Sequence, residues 1–339
     1  MITNGVSALL SELIQIDSPI GFTSNISQYV FHYLENLGYK PEKCKCGGVY
    51  CSLNESPGKH IVITAHLDTL GAMVKKIAAN GHLEITPLGG LNANNIESEN
   101  CRVITRNKHI ITGSIQLKNA SIHVNNSYDE TKRTFDTIEV LLDADVCTET
   151  EVKEIGIDIG DIVAIEPRFT ITESGYIKSR FLDDKAGVVV ILELARLIKN
   201  KNLKNKISLF FSVAEEMGYG AAILSNRQID ELISIDMGCV GDNLKCTEKQ
   251  VSICAKDSGG PYNYELVTSL VDIAKSFDID YAVDVYPSYK SDAEVALRAG
   301  VDAKHALIGM GVYASHGYER THISGVEGTI RILEKYITN

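Results

Sequence analysis

Two adjacent glutamates, Glu215 and Glu216, stand at the end of the strongly apolar segment 207–214, and Gly218 follows them closely. The apolar segment predicts a buried strand, in which successive side chains point to opposite faces of a sheet. A packed core cannot hold two carboxylates unless they are paired, hydrogen-bonded or bound to metal. The carboxyl end of a sheet strand is where an α/β enzyme keeps a base beside a metal ligand. In isolation such a pair is more often a solvated turn, so its meaning depends on the rest of the chain.

Histidines and acidic residues recur at or just beyond the predicted strand ends and before a helix. They are His66, Asp68, Asp183, Asp184, Asp236 and His322. Singly, each has a simpler explanation, because a histidine after a strand is usually hydrogen-bonded in a turn and an aspartate before a helix is usually an N-cap. Together they predict a common site, because the carboxyl ends of parallel strands lie along one rim of a sheet.

Two imidazoles and three carboxylates suit a pair of divalent ions. Three ligating carboxylates carry three negative charges against four positive charges from two dications, and one bound hydroxide would supply the difference. Imidazole ligands favour zinc, cobalt or manganese over magnesium, which prefers oxygen. We therefore expect two divalent metal ions per subunit, with Zn²⁺ first and Co²⁺ or Mn²⁺ as alternatives.

Length, composition and net charge argue against nucleic-acid-binding, membrane and secreted proteins. The chain has 339 residues, of which 44% are hydrophobic, which is enough for a large core and for two domains. Its net charge of −11, with scattered lysines and arginines, argues against a nucleic acid partner. No apolar run reaches the roughly 18 residues of a membrane span, and residues 1–6 lack the basic and apolar regions of a secretory signal. We therefore expect a cytoplasmic protein with no membrane partner.

The eight cysteines are spread over a long chain, which predicts buried reduced thiols rather than a disulfide framework. Cys44, Cys46 and Cys51 could begin a zinc site. No second pair at zinc-finger spacing follows them, and a structural zinc site needs four ligands.

Hydrophobic periodicity predicts an α/β fold with an insertion. Predicted helices are 5–16, 24–38, 184–199, 219–227, 263–277, 291–299 and 326–337. Predicted strands between them are 60–65, 206–213, 232–236, 282–286 and 304–309. Short strand-like segments with turn signals fill the middle of the chain, at 83–86, 101–105, 110–115, 138–142 and 161–165. We expect a mixed sheet sandwiched by helices, formed by residues 1–71 and 170–339, with 72–169 as an inserted small all-β barrel domain.

Six short phrases, in this order, resemble the M42 aminopeptidases, the di-metal enzymes of the glutamyl aminopeptidase and tetrahedral aminopeptidase type. They are Ala65–Asp68, Arg180–Gly187, Ala214–Gly218, Ile235–Gly238, Ser291–Ala293 and Arg320–His322. The resemblance covers nearly the whole chain, including the insertion. One departure is Lys185, which stands where the family usually has arginine.

The resemblance implies a role for each candidate residue. Asp183 would bridge both metal ions, His66 and Asp236 would complete one ligand set, and Glu216 and His322 the other. Glu215 would be the general base, and Asp68 would orient His66. The family also implies a cis peptide bond between Asp183 and Asp184.

The resemblance further implies an aminopeptidase that hydrolyses the N-terminal residue from peptides with a free N-terminus. It implies a homo-oligomer, in some members a dodecamer, assembled through the inserted domain. Two alternatives remain open on the same di-metal scaffold, an N-acyl amino acid deacylase and a dipeptidase. A catalytically inactive oligomeric binding protein is a third alternative, from a different class.

The preferred first residue of the substrate is left open. Lys256 or Lys290 would favour an acidic side chain, although both are more often ordinary surface lysines. Tyr286, Pro287 and Tyr289 would equally form an apolar slot.

Overall fold

The computed structural model describes residues 2–339, with side chains described from residue 5 onward. The chain divides into two compact units, Met1–Asp68 with Arg168–Asn339, and Thr69–Pro167. The second unit spans Thr69–Pro167, whereas the predicted insertion spans 72–169. The two differ by three residues at the start and by two at the end.

The α-helices, in chain order, are α1 Ile2–Ile14, α2 Ser24–Asn36, α3 Glu149–Glu154, α4 Leu182–Ile198, α5 Tyr264–Ser276, α6 Asp292–Arg298 and α7 Ile323–Thr338. The strands are β1 Glu42–Lys43, β2 Val49–Ser52, β3 His60–His66, β4 Gly71–Ile77, β5 Leu83–Leu88, β6 Asn100–Ile104, β7 Ile110–Leu117, β8 Ile138–Leu142, β9 Ile162–Ile165, β10 Thr170–Ile171, β11 Tyr176–Ser179, β12 Lys206–Ser212, β13 Glu231–Ile235, β14 Gly238–Val240, β15 Val251–Asp257, β16 Gly260–Pro261, β17 Tyr281–Val285, β18 Lys304–Tyr313 and β19 Glu319–His322.

The first unit is built on a mixed sheet whose main path runs β1-β2-β12-β3-β13-β18-β19-β11-β10. Its central strands β12, β3, β13 and β18 are parallel to one another. Nearly every residue of β3, β12 and β13 is buried, so both faces of the sheet are covered. The helices α4, α6 and α7 contact these strands.

Parallel register brings the strand ends together at one rim. Ser212, the last residue of β12, lies opposite His66, the last residue of β3. The neighbouring strand β13 ends at Ile235, directly before Asp236. The strand β18 continues past this rim to Tyr313 and turns back into β19.

The second unit is a closed antiparallel barrel with the strand order β4-β5-β8-β7-β6-β9. Its apolar side chains alternate inward, as in β7, where Gly113, Ile115 and Leu117 are buried between partly exposed neighbours. The predicted fold class, a mixed α/β sheet with an inserted β-barrel, is confirmed.

The predicted helix at 219–227 is wrong in type. Residues Gly220–Asn226 form a 3₁₀ helix. A tertiary contact holds the start of this segment, because the buried carboxylate of Asp292 accepts the backbone N–H of Ala221 at 2.7 Å. The other helices and strands predicted for the α/β portion are present.

All eight cysteines are free thiols. Four of them are buried, which fits the predicted reduced core thiols: Cys51, Cys101, Cys246 and Cys254. Cys46 and Cys147 are exposed, so the expectation of buried thiols is wrong for these two positions. Within residues 2–339, no helix combines the length and apolar character needed to cross a membrane.

Gly309 in β18 packs closely against the backbone of Asp236, the residue that follows β13. A Cβ atom on Gly309 would lie 1.8 Å from the carbonyl oxygen of Asp236. We expect Gly309→Ala to lower the free energy of unfolding by about 1–3 kcal/mol, because β18 and Asp236 must move apart. Chemical denaturation measures this loss. The matched control is Gly241→Ala, since nothing lies within 4 Å of a Cβ there; equal stability of the two variants would contradict the close approach.

Candidate metal centre and active site

The adjacent glutamates lie in a tight turn beyond the end of β12. The strand stops at Ser212, and Glu215–Met217 form one 3₁₀ turn that ends at Gly218 with φ +73°. Asp68 holds this turn, because its carboxylate accepts the backbone N–H of Glu215 at 3.2 Å and of Glu216 at 3.3 Å. Since the two glutamates are outside the alternating strand, both side chains reach the same cavity.

His66, at the end of β3, is oriented by Asp68 through the main chain. Its Nδ1 donates to the carbonyl oxygen of Asp68 at 2.9 Å, whereas the Asp68 carboxylate is 3.7 Å away. This contact leaves Nε2 facing Asp183, 3.0 Å from Oδ1. An imidazole that donates from one nitrogen presents the other as a metal ligand. The orientation predicted for His66 is therefore present, although it comes from a carbonyl group.

Asp183 and Asp184 lie at the start of α4, where the backbone is not yet helical. The peptide bond between them is cis, as the family resemblance implies. The two side chains differ in use. Asp184 is buried and accepts the backbone N–H groups of His66 at 3.3 Å and of Gly187 at 3.1 Å, whereas Asp183 faces the cavity.

The structure does not bring His322 to this cluster. Its Nε2 donates to the carbonyl oxygen of Ser174 at 2.8 Å, and its Nδ1 accepts the backbone N–H of Ser324 at 3.1 Å, as the N-cap of α7. Both ring nitrogens are thus used within the protein, which leaves no lone pair for a metal ion. The ligand assignment of His322 is corrected for this reason.

His316 occupies the place expected for the second histidine. It lies in the turn between β18 and β19, and its Nε2 is 3.5 Å from Asp183 Oδ2 and 3.6 Å from Glu216 Oε2. Sequence reasoning missed it because the phrase Arg320–His322 offered a histidine nearby. A signal in the sequence could have found it, because His316 follows the mostly apolar run 306–313 by three positions.

The remaining predicted residues converge. Two groups have candidate ligand atoms within 4.8 Å of one another: His66 with Glu215 and Asp236, and His66 with Asp183 and Glu216. The four carboxylates of these groups line a cavity of about 730 Å³, whose wall beyond the cluster includes Met217, Cys239, Pro287, Tyr289 and Lys290. Glu215, expected to be a base, thus lies among the candidate ligand atoms of the first group.

The cluster carries more negative charge than its surroundings compensate. Burial and the nearby Asp236 carboxylate raise the pKa of Glu215 well above its ordinary value, although His66 opposes this. Burial and the Asp183 carboxylate likewise raise the pKa of Glu216 to about 7. Burial would also raise the pKa of Asp183, but hydrogen bonds from His316 and His66 lower it below the ordinary value.

A buried carboxylate oxygen of the cluster lacks a hydrogen-bond partner. Among the described residues, Glu216 Oε1 is buried without any hydrogen bond. A buried carboxylate oxygen of this kind needs a proton or a cation. Imidazole and carboxylate groups together are a donor set for divalent transition metals. The residues at this site therefore fit a metal ion.

Sequence comparison places the chain among aminopeptidases. A family model described as M42 glutamyl aminopeptidase matches residues 47–332. A protein of Bacillus subtilis (strain 168) named "Putative aminopeptidase YhfE" is 39% identical over 332 residues, which cover 97% of this chain and 96% of the relative. The glutamyl aminopeptidase of Lactococcus lactis subsp. cremoris (strain MG1363) is 26% identical over 235 residues, covering 67% of this chain and 64% of that protein.

Structural comparison supports the fold. The Pyrococcus horikoshii TET1 peptidase, whose structure is described as able to assemble into a tetrahedron or a large octahedral shell, has a TM-score of 0.88 and 21% identity, with 98% of this chain and 99% of that chain covered. At this identity, the likeness shows the fold alone. The family match extends over most of the sequence, and the B. subtilis relative covers nearly all of it. The chain belongs to the M42 glutamyl aminopeptidase family of hydrolases.

Proposed function

We propose that this M42 aminopeptidase is metal-dependent and removes single residues from the free N-termini of peptides, with Glu215 as general base. The observation that carries the proposal is that Asp183, Glu215, Glu216 and Asp236 line one cavity, with candidate ligand atoms close to the imidazole of His66. The partnerless Oε1 of Glu216 supports a cation there.

Two ions would be held by two ligand sets that share Asp183. Its two oxygens face different imidazoles, Oδ1 toward His66 at 3.0 Å and Oδ2 toward His316 at 3.5 Å. This arrangement supports Asp183 as the bridging ligand. His66 and Asp236 would complete one set, and Glu216 and His316 the other, with His316 replacing His322. Zinc suits this mixed donor set best, with cobalt or manganese as substitutes.

Bound metal ions would lower the pKa of a water molecule and polarise the scissile carbonyl group. Glu215 would take a proton from the attacking water on its carboxylate and deliver it to the leaving amine. Its position suits this task, because burial raises the pKa of the Glu215 carboxyl above its ordinary value and so strengthens it as a base. Asp68 fixes the turn that carries Glu215, and Tyr289 donates to the carbonyl oxygen of Met237 at 3.0 Å, which holds the segment after Asp236.

The cavity wall bears on the side chain of the first substrate residue. Met217 and Tyr289 supply apolar surface, and Lys290 supplies one positive charge at an exposed position. The L. lactis relative is named for glutamyl substrates, and an acidic first residue is also the one that Lys290 would favour. We further propose a homo-oligomer, since the P. horikoshii protein is described as assembling into shells. A cytoplasmic location remains part of the proposal.

Replacing Glu215 tests the proposed reaction and the proposed base together. Glu215→Gln should lower kcat for aminoacyl-nitroanilides by about 10²–10⁴-fold, because proton transfer is lost, while the bound metal per chain stays the same. Steady-state assays with elemental analysis measure both quantities. The matched control is Glu216→Gln, which should lose metal as well as activity. If the wild type turned over N-acetylated amino acids faster than free aminoacyl substrates, a deacylase would replace the aminopeptidase.

Replacing each of the two histidines in turn tests which of them binds metal. His316→Ala should remove at least one of the bound ions, because it deletes a proposed ligand. His322→Ala should keep the metal content and lower stability by about 1 kcal/mol, because it deletes the N-cap of α7. Elemental analysis after dialysis against a weak chelator, together with thermal unfolding, distinguishes them. Loss of metal from His322→Ala with retention in His316→Ala would contradict the assignment.

A further inference from the structure

Glu319 lies behind the cluster and contacts the main chain of two proposed ligands at once. Its Oε2 accepts the backbone N–H of Asp183 at 3.1 Å, and its Oε1 accepts the backbone N–H of His316 at 3.0 Å. The side chain is only 2% exposed. A buried carboxylate whose two oxygens each accept an N–H group forms strong, directional contacts.

The two ligands that Glu319 contacts belong to separate elements. Asp183 lies at the start of α4, after β11, and His316 lies in the turn between β18 and β19. Glu319 itself opens β19 and pairs with Ser179 of β11. It is therefore placed where the two ligand-bearing segments meet.

Both segments have unusual backbone geometry next to the ligand. Phe181, two residues before Asp183, has φ +66°, and His316 has φ +61°. Left-handed geometry is uncommon for residues other than glycine and persists where the surroundings hold it. The hydrogen bonds from Asp183 and His316 to Glu319 are among the contacts of these segments, and they join both segments to one side chain.

We propose that Glu319 is a positioning residue that sets the separation of Asp183 and His316 for the metal centre. The inference rests on the proposed metal-dependent function, because a positioning role requires ligands to position. Glu319 does not itself face the cavity wall formed by the cluster. It acts through the backbone of the two ligands, as partners behind metal ligands commonly do.

A matched control lies elsewhere in the first unit. Asp284 is 7% exposed, and its two oxygens accept the backbone N–H groups of Lys245 and Cys246, each at 2.9 Å. It therefore resembles Glu319 in burial and hydrogen bonding but contacts no proposed ligand. Replacing either acid by its amide leaves one N–H facing an amide NH₂ group instead of an acceptor.

The experiment compares Glu319→Gln with Asp284→Asn and the wild type. Metal-free proteins are loaded with Co²⁺, and the dissociation constant is measured by chelator competition, with the visible absorption of bound Co²⁺ as a second readout. Glu319→Gln should weaken Co²⁺ binding by about 10–100-fold and change the absorption bands. Asp284→Asn should lower the unfolding temperature of the metal-free protein and leave both metal readouts unchanged.

Each other outcome overturns the inference. Wild-type affinity and spectrum in Glu319→Gln, or equal metal effects in Asp284→Asn, would show a purely structural role. If Glu319→Gln does not fold, Glu319→Asp replaces it; this variant keeps the charge but is too short to reach both N–H groups, and wild-type binding by it would also refute the role. A wild type that binds no Co²⁺ would instead overturn the metal site, and this inference with it.

Discussion

Buried negative charge is the constraint on which the rest of the site depends. Asp183, Glu215, Glu216 and Asp236 place four carboxylates in one largely buried cavity. Burial and mutual repulsion raise the pKa of Glu215, Glu216 and Asp236 above their ordinary values. A pair of divalent ions, with the two imidazoles neutral, would balance four carboxylates, and this would account for a stable fold that keeps such a cluster.

A second layer of buried acids holds the backbone of the cluster. Asp184 accepts the N–H of His66, Asp68 accepts those of Glu215 and Glu216, and Glu319 accepts those of Asp183 and His316. The side chains of the proposed ligands are thereby left for the cavity while their main chains are fixed. The parallel sheet supplies the rim, and these carboxylates set the positions along it.

The central strands and the site residues at their ends could be predicted, because the pattern that marks each strand is local in the sequence. The runs 60–65, 206–213 and 232–236 are continuous and apolar, and the ends of parallel strands must meet at one rim. For Glu215 and Glu216 to reach one site, the strand must end before them, because successive side chains of a strand point to opposite faces. The strand does end before them, at Ser212.

Other features depend on tertiary contacts that no local pattern reveals. Two histidines lie six residues apart in one segment, and hydrogen bonds with Ser174 and Ser324 decide that His322 is not the ligand. Residues 220–226 likewise form a 3₁₀ helix where periodicity predicts an α-helix, and Asp292 holds the start of this segment through a tertiary hydrogen bond. The strand β15 is a different kind of omission, because a local pattern marks it: Val251, Ile253 and Ala255 alternate with other residues, and Gly259 and Gly260 follow.

The central claim is a two-ion centre bridged by Asp183, and anomalous diffraction from crystals of the metal-loaded enzyme tests it most directly. Data collected on both sides of the zinc absorption edge locate each ion without reference to a model. The account predicts two peaks per chain, both within coordination distance of Asp183, one beside His66 and Asp236 and the other beside Glu216 and His316. A single peak away from Asp183, or a peak at His322, would contradict it.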